Sequence, residues 1–79
     1  MRVQVLYFAS LRDAAGCTGE SVETAAADVG ALYHELRARH GFALAPERLR
    51  AAMDGAFVAW TAALREGCEV AYLPPVSGG

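Results

Sequence analysis

The chain has 79 residues, 54% of them hydrophobic and 20% charged, which is enough for one small core and too apolar for a disordered segment. Its net charge is -2, and all seven basic side chains are arginine. No basic stripe is present to neutralise phosphates, so nucleic acid is excluded as a partner.

The first strand is expected over residues 2–9, which are rich in Val, Leu, Tyr and Phe. Gln4 interrupts this apolar opening and no small-residue cleavage site follows, so no signal peptide is expected. Ser10 is placed as the cap of a short helical turn over residues 11–15, closed by Gly16. A second strand follows over residues 20–24. Asp28 then reads as the N-cap of the main helix, with Val29, Leu32 and Leu36 at helical spacing and Glu35, Arg37 and Arg39 facing water. Gly41 is its stop, reinforced by basic residues in the last turn. After Pro46, residues 47–50 are expected to make a further helical turn. Strands over 51–53 and 56–60 flank Asp54-Gly55, the strongest hairpin signal in the chain. The last strand covers residues 69–73 and is entered through a turn at Glu66-Gly67.

The order is β-β-α-β-β-β, with one long helix crossing between two hairpin-like halves. It implies an α+β chain, a mixed sheet carrying the main helix on one face. This is the ubiquitin-like β-grasp arrangement, built as a single domain over residues 1–79 with 73–79 as a protruding C-terminal Gly-Gly tail. No segment approaches the ~18 apolar residues of a membrane span. Two cysteines without C-x-x-C spacing fit a reduced, cytoplasmic setting.

The chain ends Pro74-Pro75-Val76-Ser77-Gly78-Gly79. The prolines remove backbone donors, stop the sheet ladder and favour a stiff, extended exit. Six extended residues reach roughly 20 Å. Two residues without side chains let the tip enter a channel too narrow for a Cβ. A terminal carboxylate, ionised at neutral pH, can be activated by attack on the α-phosphate of ATP inside a partner's site.

Residues 64–79, Leu64-Arg65-Glu66-Gly67-Cys68-Glu69-Val70-Ala71-Tyr72-Leu73-Pro74-Pro75-Val76-Ser77-Gly78-Gly79, resemble the ending of the molybdopterin synthase sulfur-carrier (small) subunits. That family ends in Leu-x-x-Gly-Asp-Glu-Val-Ala, two apolar residues and Pro-Pro-Val-Ser/Thr-Gly-Gly. The opening Val5-Leu6-Tyr7-Phe8-Ala9 with Leu11-Arg12 also fits. Cys68 stands where the family has Asp, and Asp54 where it has Asn.

The resemblance implies that Gly79, presented by Gly78, is adenylated by a ubiquitin-activating-like adenylyltransferase and sulfurated to a thiocarboxylate. Its sulfur then goes to a pterin precursor inside the large subunit of molybdopterin synthase. Two small and two large subunits would form a heterotetramer. ATP would be used by the activating enzyme, and this chain would bind no cofactor or metal and supply no catalysis. Related readings are a sulfur carrier for thiamine thiazole synthesis and a ubiquitin-like protein modifier.

Strand parity adds a separate expectation. With Val5, Val58, Val70 and Tyr72 turned to the helix, Phe8, Phe57 and Leu73 point away from it. These three form a docking patch for the partners, and Pro74, Pro75, Val76 and Ser77 continue the contact along the tail. Cys17 and Cys68 read as incidental thiols. His34 and His40, six apart, do not share a helix face for metal binding and take surface or cap positions. Trp60 is expected at a sheet edge or core margin, and Arg12 on the surface.

Overall fold

Apolar and polar residues alternate along the first strand, and that alternation sorts its two faces. In the computed structural model, which describes residues 1–75, β1 (Arg2–Tyr7) buries Val3, Val5 and Tyr7 and exposes Arg2 and Gln4. It stops two residues short of the expected end. Ala9 adopts φ 51°, a left-handed conformation that breaks the extended run and turns the chain into α1 (Ala9–Ala15). Ser10 therefore lies inside the helix rather than at its cap. The cap position belongs to Phe8, whose side chain has nothing to accept with. Gly16 closes α1 at φ 77°, its N–H bonded to the Arg12 carbonyl.

β2 (Gly19–Glu23) returns antiparallel to β1, with Val22 opposite Val3. Asp28 caps α2 (Val29–His40) as expected, its Oδ1 accepting from the Ala31 N–H at 2.8 Å. Gly41 ends the helix at φ 72°. The buried stripe of α2 is Val29, Leu32, Tyr33 and Leu36. A single 3-10 turn, Pro46–Arg48, leads to β3 (Arg50–Met53). Asp54 and Gly55, both at positive φ, make the tight turn into β4 (Ala56–Val58). β5 (Glu69–Leu73) completes the sheet, so the departing segment begins at Pro74 rather than Leu73.

β4 is shorter than the expected 56–60 for a structural reason. Beyond Val58 the chain leaves the sheet to cover the N-terminus of α2. The Trp60 carbonyl accepts from Gly30 N–H at 2.9 Å and the Ala62 carbonyl from Val29 N–H at 3.0 Å. Orphan donors of the first helical turn are thus satisfied by backbone. Gly30 permits the close approach, since a Cβ there would lie 3.2 Å from the Trp60 carbonyl oxygen.

The strand order is β2-β1-β5-β3-β4. β1 and β5 are parallel at the centre, and the other neighbours are antiparallel. The main helix crosses one face, which is the β-grasp arrangement. Between helix and sheet lie Val5, Leu32, Leu36, Val70 and Tyr72, each contributing about 1.5–3 kcal/mol by burial. Tyrosine rings fill much of the rest, and their hydroxyls are satisfied: Tyr33 donates to the Leu44 carbonyl at 2.6 Å and Tyr72 to the Val29 carbonyl at 2.8 Å. Burial, first of all, holds both phenols above the ordinary tyrosine pKa. No helix among the described residues is long and apolar enough to cross a membrane.

Candidate functional site

β5 is the middle strand of the five, and it carries the chain to its C-terminal segment. Its register against β1 pairs Val5 with Val70 and Tyr7 with Tyr72, while β3 pairs Arg50 with Leu73. The strand is held on both edges from Val70 to Tyr72, and on the β3 edge as far as Leu73. Pro74 and Pro75 then lack N–H groups to continue either ladder. The exit of the tail is therefore fixed in position by the most supported strand in the fold. Val76, Ser77, Gly78 and Gly79 lie outside the described residues.

The face of the sheet opposite α2 carries a row of apolar residues. Pairing aligns Leu6 with Ala71, Ala71 with Ala52, and Ala52 with Phe57. Gly19 ends the row at the β2 edge, and a Cβ there would meet the Val5 carbonyl oxygen at 2.9 Å. Phe57 is 62% exposed and Phe8 42%, whereas Leu73 is half-buried. The parity expectation thus holds for Phe57 and Leu73: Val5, Val70 and Tyr72 are buried on the helix side, and Val58 is half-buried at the sheet margin. Phe8 lies beyond the end of β1, at the cap of α1, where strand parity does not apply.

Leu6, Ala52 and Ala71 escaped the sequence reading. Their parity matches that of Phe57 and Leu73, but only the cross-strand register turns them into one continuous row. Beside the row, at the root of the tail, Arg48, Arg50, Phe57, Leu73, Pro74 and Pro75 line a groove of ≈ 370 Å³. The Arg50 guanidinium lies over the Phe57 ring, 4.4 Å from its centroid.

A polar cluster sits at the other end of the helix side. Tyr7 donates its hydroxyl to Glu20 Oε2 at 2.5 Å, and His40 Nε2 faces the same oxygen at 2.7 Å. The carboxylate can only accept, so Nε2 carries the proton. Burial acts to raise the Glu20 pKa, but the bonds from Tyr7 and His40 and the nearby Arg39 charge outweigh it and leave the group below its ordinary value. Burial first, then Glu20, pushes the Tyr7 phenol well above its own. His40 also stacks on Phe42, with centroids 5.3 Å apart. It is therefore neither a surface nor a cap residue, because the stop at Gly41 turns the last helical residue back against β1 and β2. His34 is exposed. Among the described residues no cluster of His, Cys, Asp or Glu is arranged to hold a metal.

The remaining singled-out residues take structural places. Trp60 is half-buried, stacked on Tyr72 at 5.9 Å. Cys17 is half-buried and Cys68 buried, both as free thiols, and Arg12 is exposed. Asp54 binds the Glu69 N–H at 2.9 Å and Arg65 at 2.8 Å. The backbone bond first, then Arg65, holds its carboxyl below the usual range. This network joins the β3–β4 turn to the start of β5.

Comparison with known proteins bears on what this arrangement is for. The molybdopterin synthase sulfur carrier subunit of Escherichia coli (strain K12) is 35% identical over 80 residues, covering 98% of this chain and 99% of the relative. The candidate molybdopterin converting factor subunit 1 of Pyrococcus furiosus is 31% identical, with a TM-score of 0.78 and coverage of 96% and 99%. SAMP1 of Haloferax volcanii is 27% identical, with a TM-score of 0.83 and full coverage of both chains. A family model described as the ThiS family matches residues 5–79. Spanned by that model from β1 to its last residue, the chain belongs to the ThiS family.

Proposed function

We propose that the chain is a sulfur carrier for molybdopterin synthesis, with Gly79 as the carrying residue and the open sheet face as the surface its partners hold. The observation that carries this reading is the exit of β5. The central strand, clamped on both sides, delivers the Pro74-Pro75 segment from the rim of an exposed apolar row. Kinship over the full chain with a protein named as a sulfur carrier subunit supports molybdopterin over the related thiazole pathway. A chain of the same fold, solved in complex with subunit 2 of the molybdopterin-converting factor of Helicobacter pylori 26695, supports a second subunit as partner.

In this scheme the Gly79 carboxylate oxygen attacks the α-phosphorus of ATP, held by a ubiquitin-activating-like adenylyltransferase, and pyrophosphate leaves. A sulfide-level nucleophile adds to the acyl carbon and AMP departs with the bonding pair, which leaves a thiocarboxylate. Inside the large subunit of a heterotetrameric synthase the thiocarboxylate sulfur bonds to the pterin precursor as a thioester, and water cleaves the acyl–sulfur bond, which leaves the sulfur on the precursor and returns Gly79 to the carboxylate. The body described above contributes holding and aim, while Gly78 and Gly79 contribute slimness. The modifier reading shares the first step and differs in the acceptor, which is a lysine amine.

Intact mass after incubation with ATP, a sulfur donor and the activating enzyme tests the proposal. A single oxygen-for-sulfur exchange at the C-terminus is expected, and an amide conjugate in its place would support the modifier. Deleting Gly79 retracts the carboxylate by about 3.3–3.6 Å, well beyond the ~1 Å misplacement that costs ~100-fold. The deletion should abolish sulfuration and change stability by less than ~0.5 kcal/mol. Full turnover by a folded chain ending at Gly78 would refute the proposal.

A further inference from the structure

The groove at the root of the tail has a chemistry of its own. The whole chain carries a net charge of -2, yet this groove is walled by two exposed guanidinium groups, Arg48 and Arg50, against one carboxylate, Glu47. Among the described residues the arginines found in ion pairs with side chains are Arg2, with Glu23, and Arg65, with Asp54. Neither groove arginine meets a carboxylate there. Arg50 is also preorganised: β3 places it directly across from Leu73, and the Phe57 ring supports one face of its guanidinium at 4.4 Å. Such stacking leaves the N–H edge of the planar fork for a bidentate carboxylate. Behind the charges, Leu49 is 5% exposed, and with Phe57 and Leu73 it offers an apolar pocket.

We propose that this groove docks an extended acidic segment of the enzyme that activates the tail, with a carboxylate on Arg48 and Arg50 and an apolar side chain between Phe57 and Leu73. The inference rests on the carrier reading and adds a recognition site to it. The groove is continuous with the apolar row through Phe57, and Pro74 and Pro75 form part of its wall. An enzyme that receives the tail must pass along it. The activating enzyme is the partner chosen because every reading of the Gly-Gly tail begins with activation of its carboxylate.

The test is ATP–pyrophosphate exchange by the activating enzyme of the same organism, with the full-length carrier as the varied substrate. Both arginines are exposed, so paired Arg48→Glu and Arg50→Glu substitutions should leave the thermal midpoint close to that of the wild type. They should raise KM about tenfold or more while kcat changes by less than about twofold. A neutral pair, Arg48→Gln with Arg50→Gln, should fall between and guards against a folding defect. Added salt should raise the wild-type KM, leave that of the glutamine pair nearly flat and lower that of the glutamate pair, whose carboxylates repel the acidic segment. A glutamate pair with an unchanged KM, beside a wild type that is activated normally, overturns the groove and leaves the carrier reading standing. A wild type that supports no exchange overturns both.

Discussion

Replacing Phe57 by alanine separates docking from folding. The ring is 62% exposed in the isolated chain, so of the roughly 200 Å² a phenylalanine can bury, about 120 Å² is still available to a partner. At ~25 cal/mol per Å² that area is worth about 3 kcal/mol when covered, of which alanine keeps a part. A loss of about 2 kcal/mol, or ~30-fold in affinity, is expected for the large subunit of molybdopterin synthase. The fold itself loses little beyond the Arg50 stacking contact, worth about 0.5–1 kcal/mol at an exposed site. Calorimetric titration of the carrier into the large subunit reads the first quantity, and thermal unfolding reads the second. Ser21→Ala, exposed on β2 at the far edge of the sheet, is the control and should bind as the wild type does. An affinity for Phe57→Ala within about twofold of the wild type would refute the placement of the docking face, as would an equal loss from Ser21→Ala.

Two further outcomes follow from the polar cluster and the thiols. Glu20 has a folded pKa below its ordinary value, so the unfolded chain binds the proton more readily. The stability this confers is present above the ordinary carboxylate pKa of about 4.3 and is lost as pH falls through the lower folded value. Glu20→Gln should therefore flatten the acid limb of a plot of thermal midpoint against pH, and a limb unchanged in slope would contradict the assignment. Replacing Cys17 and Cys68 together by serine should leave thiocarboxylate formation intact. Cys68 is 4% exposed, so the pair should cost on the order of 1 kcal/mol in stability, and loss of sulfur loading in a folded double variant would reassign the chemistry.

Local rules that require no partner were readable along the chain. The Asp28 cap, the Gly41 stop and the Asp54-Gly55 turn each depend on a few consecutive residues, and all three stand where expected. Strand parity likewise placed Phe57 and Leu73 on the open side. What escaped the reading depends on distant segments. β4 ends at Val58 because residues 60–62 are drawn to the helix N-terminus, a demand invisible within the strand itself. His40 is pulled inward by Glu20, twenty positions away. Ser10 lost the cap because Ala9 turns left-handed one residue before it, which no propensity for the extended stretch foretells. The arginine groove needed the pairing of β3 with both β4 and β5 before Arg50, Phe57 and Leu73 became neighbours.

The parallel pairing of the first and last strands also governs how the molecule bears a load. A partner that grips the C-terminal segment and draws on it pulls β5 along its own axis. On one side β5 is bonded to β1, from Gln4–Glu69 to Tyr7–Tyr72, and on the other to β3, from Met53–Val70 to Arg50–Leu73. Those bonds lie across the line of pull and share the force in shear, so no single one yields ahead of the rest as in the peeling of a hairpin. A pull on the C-terminal segment is thus resisted by the sheet as a whole, and the body keeps its shape under it.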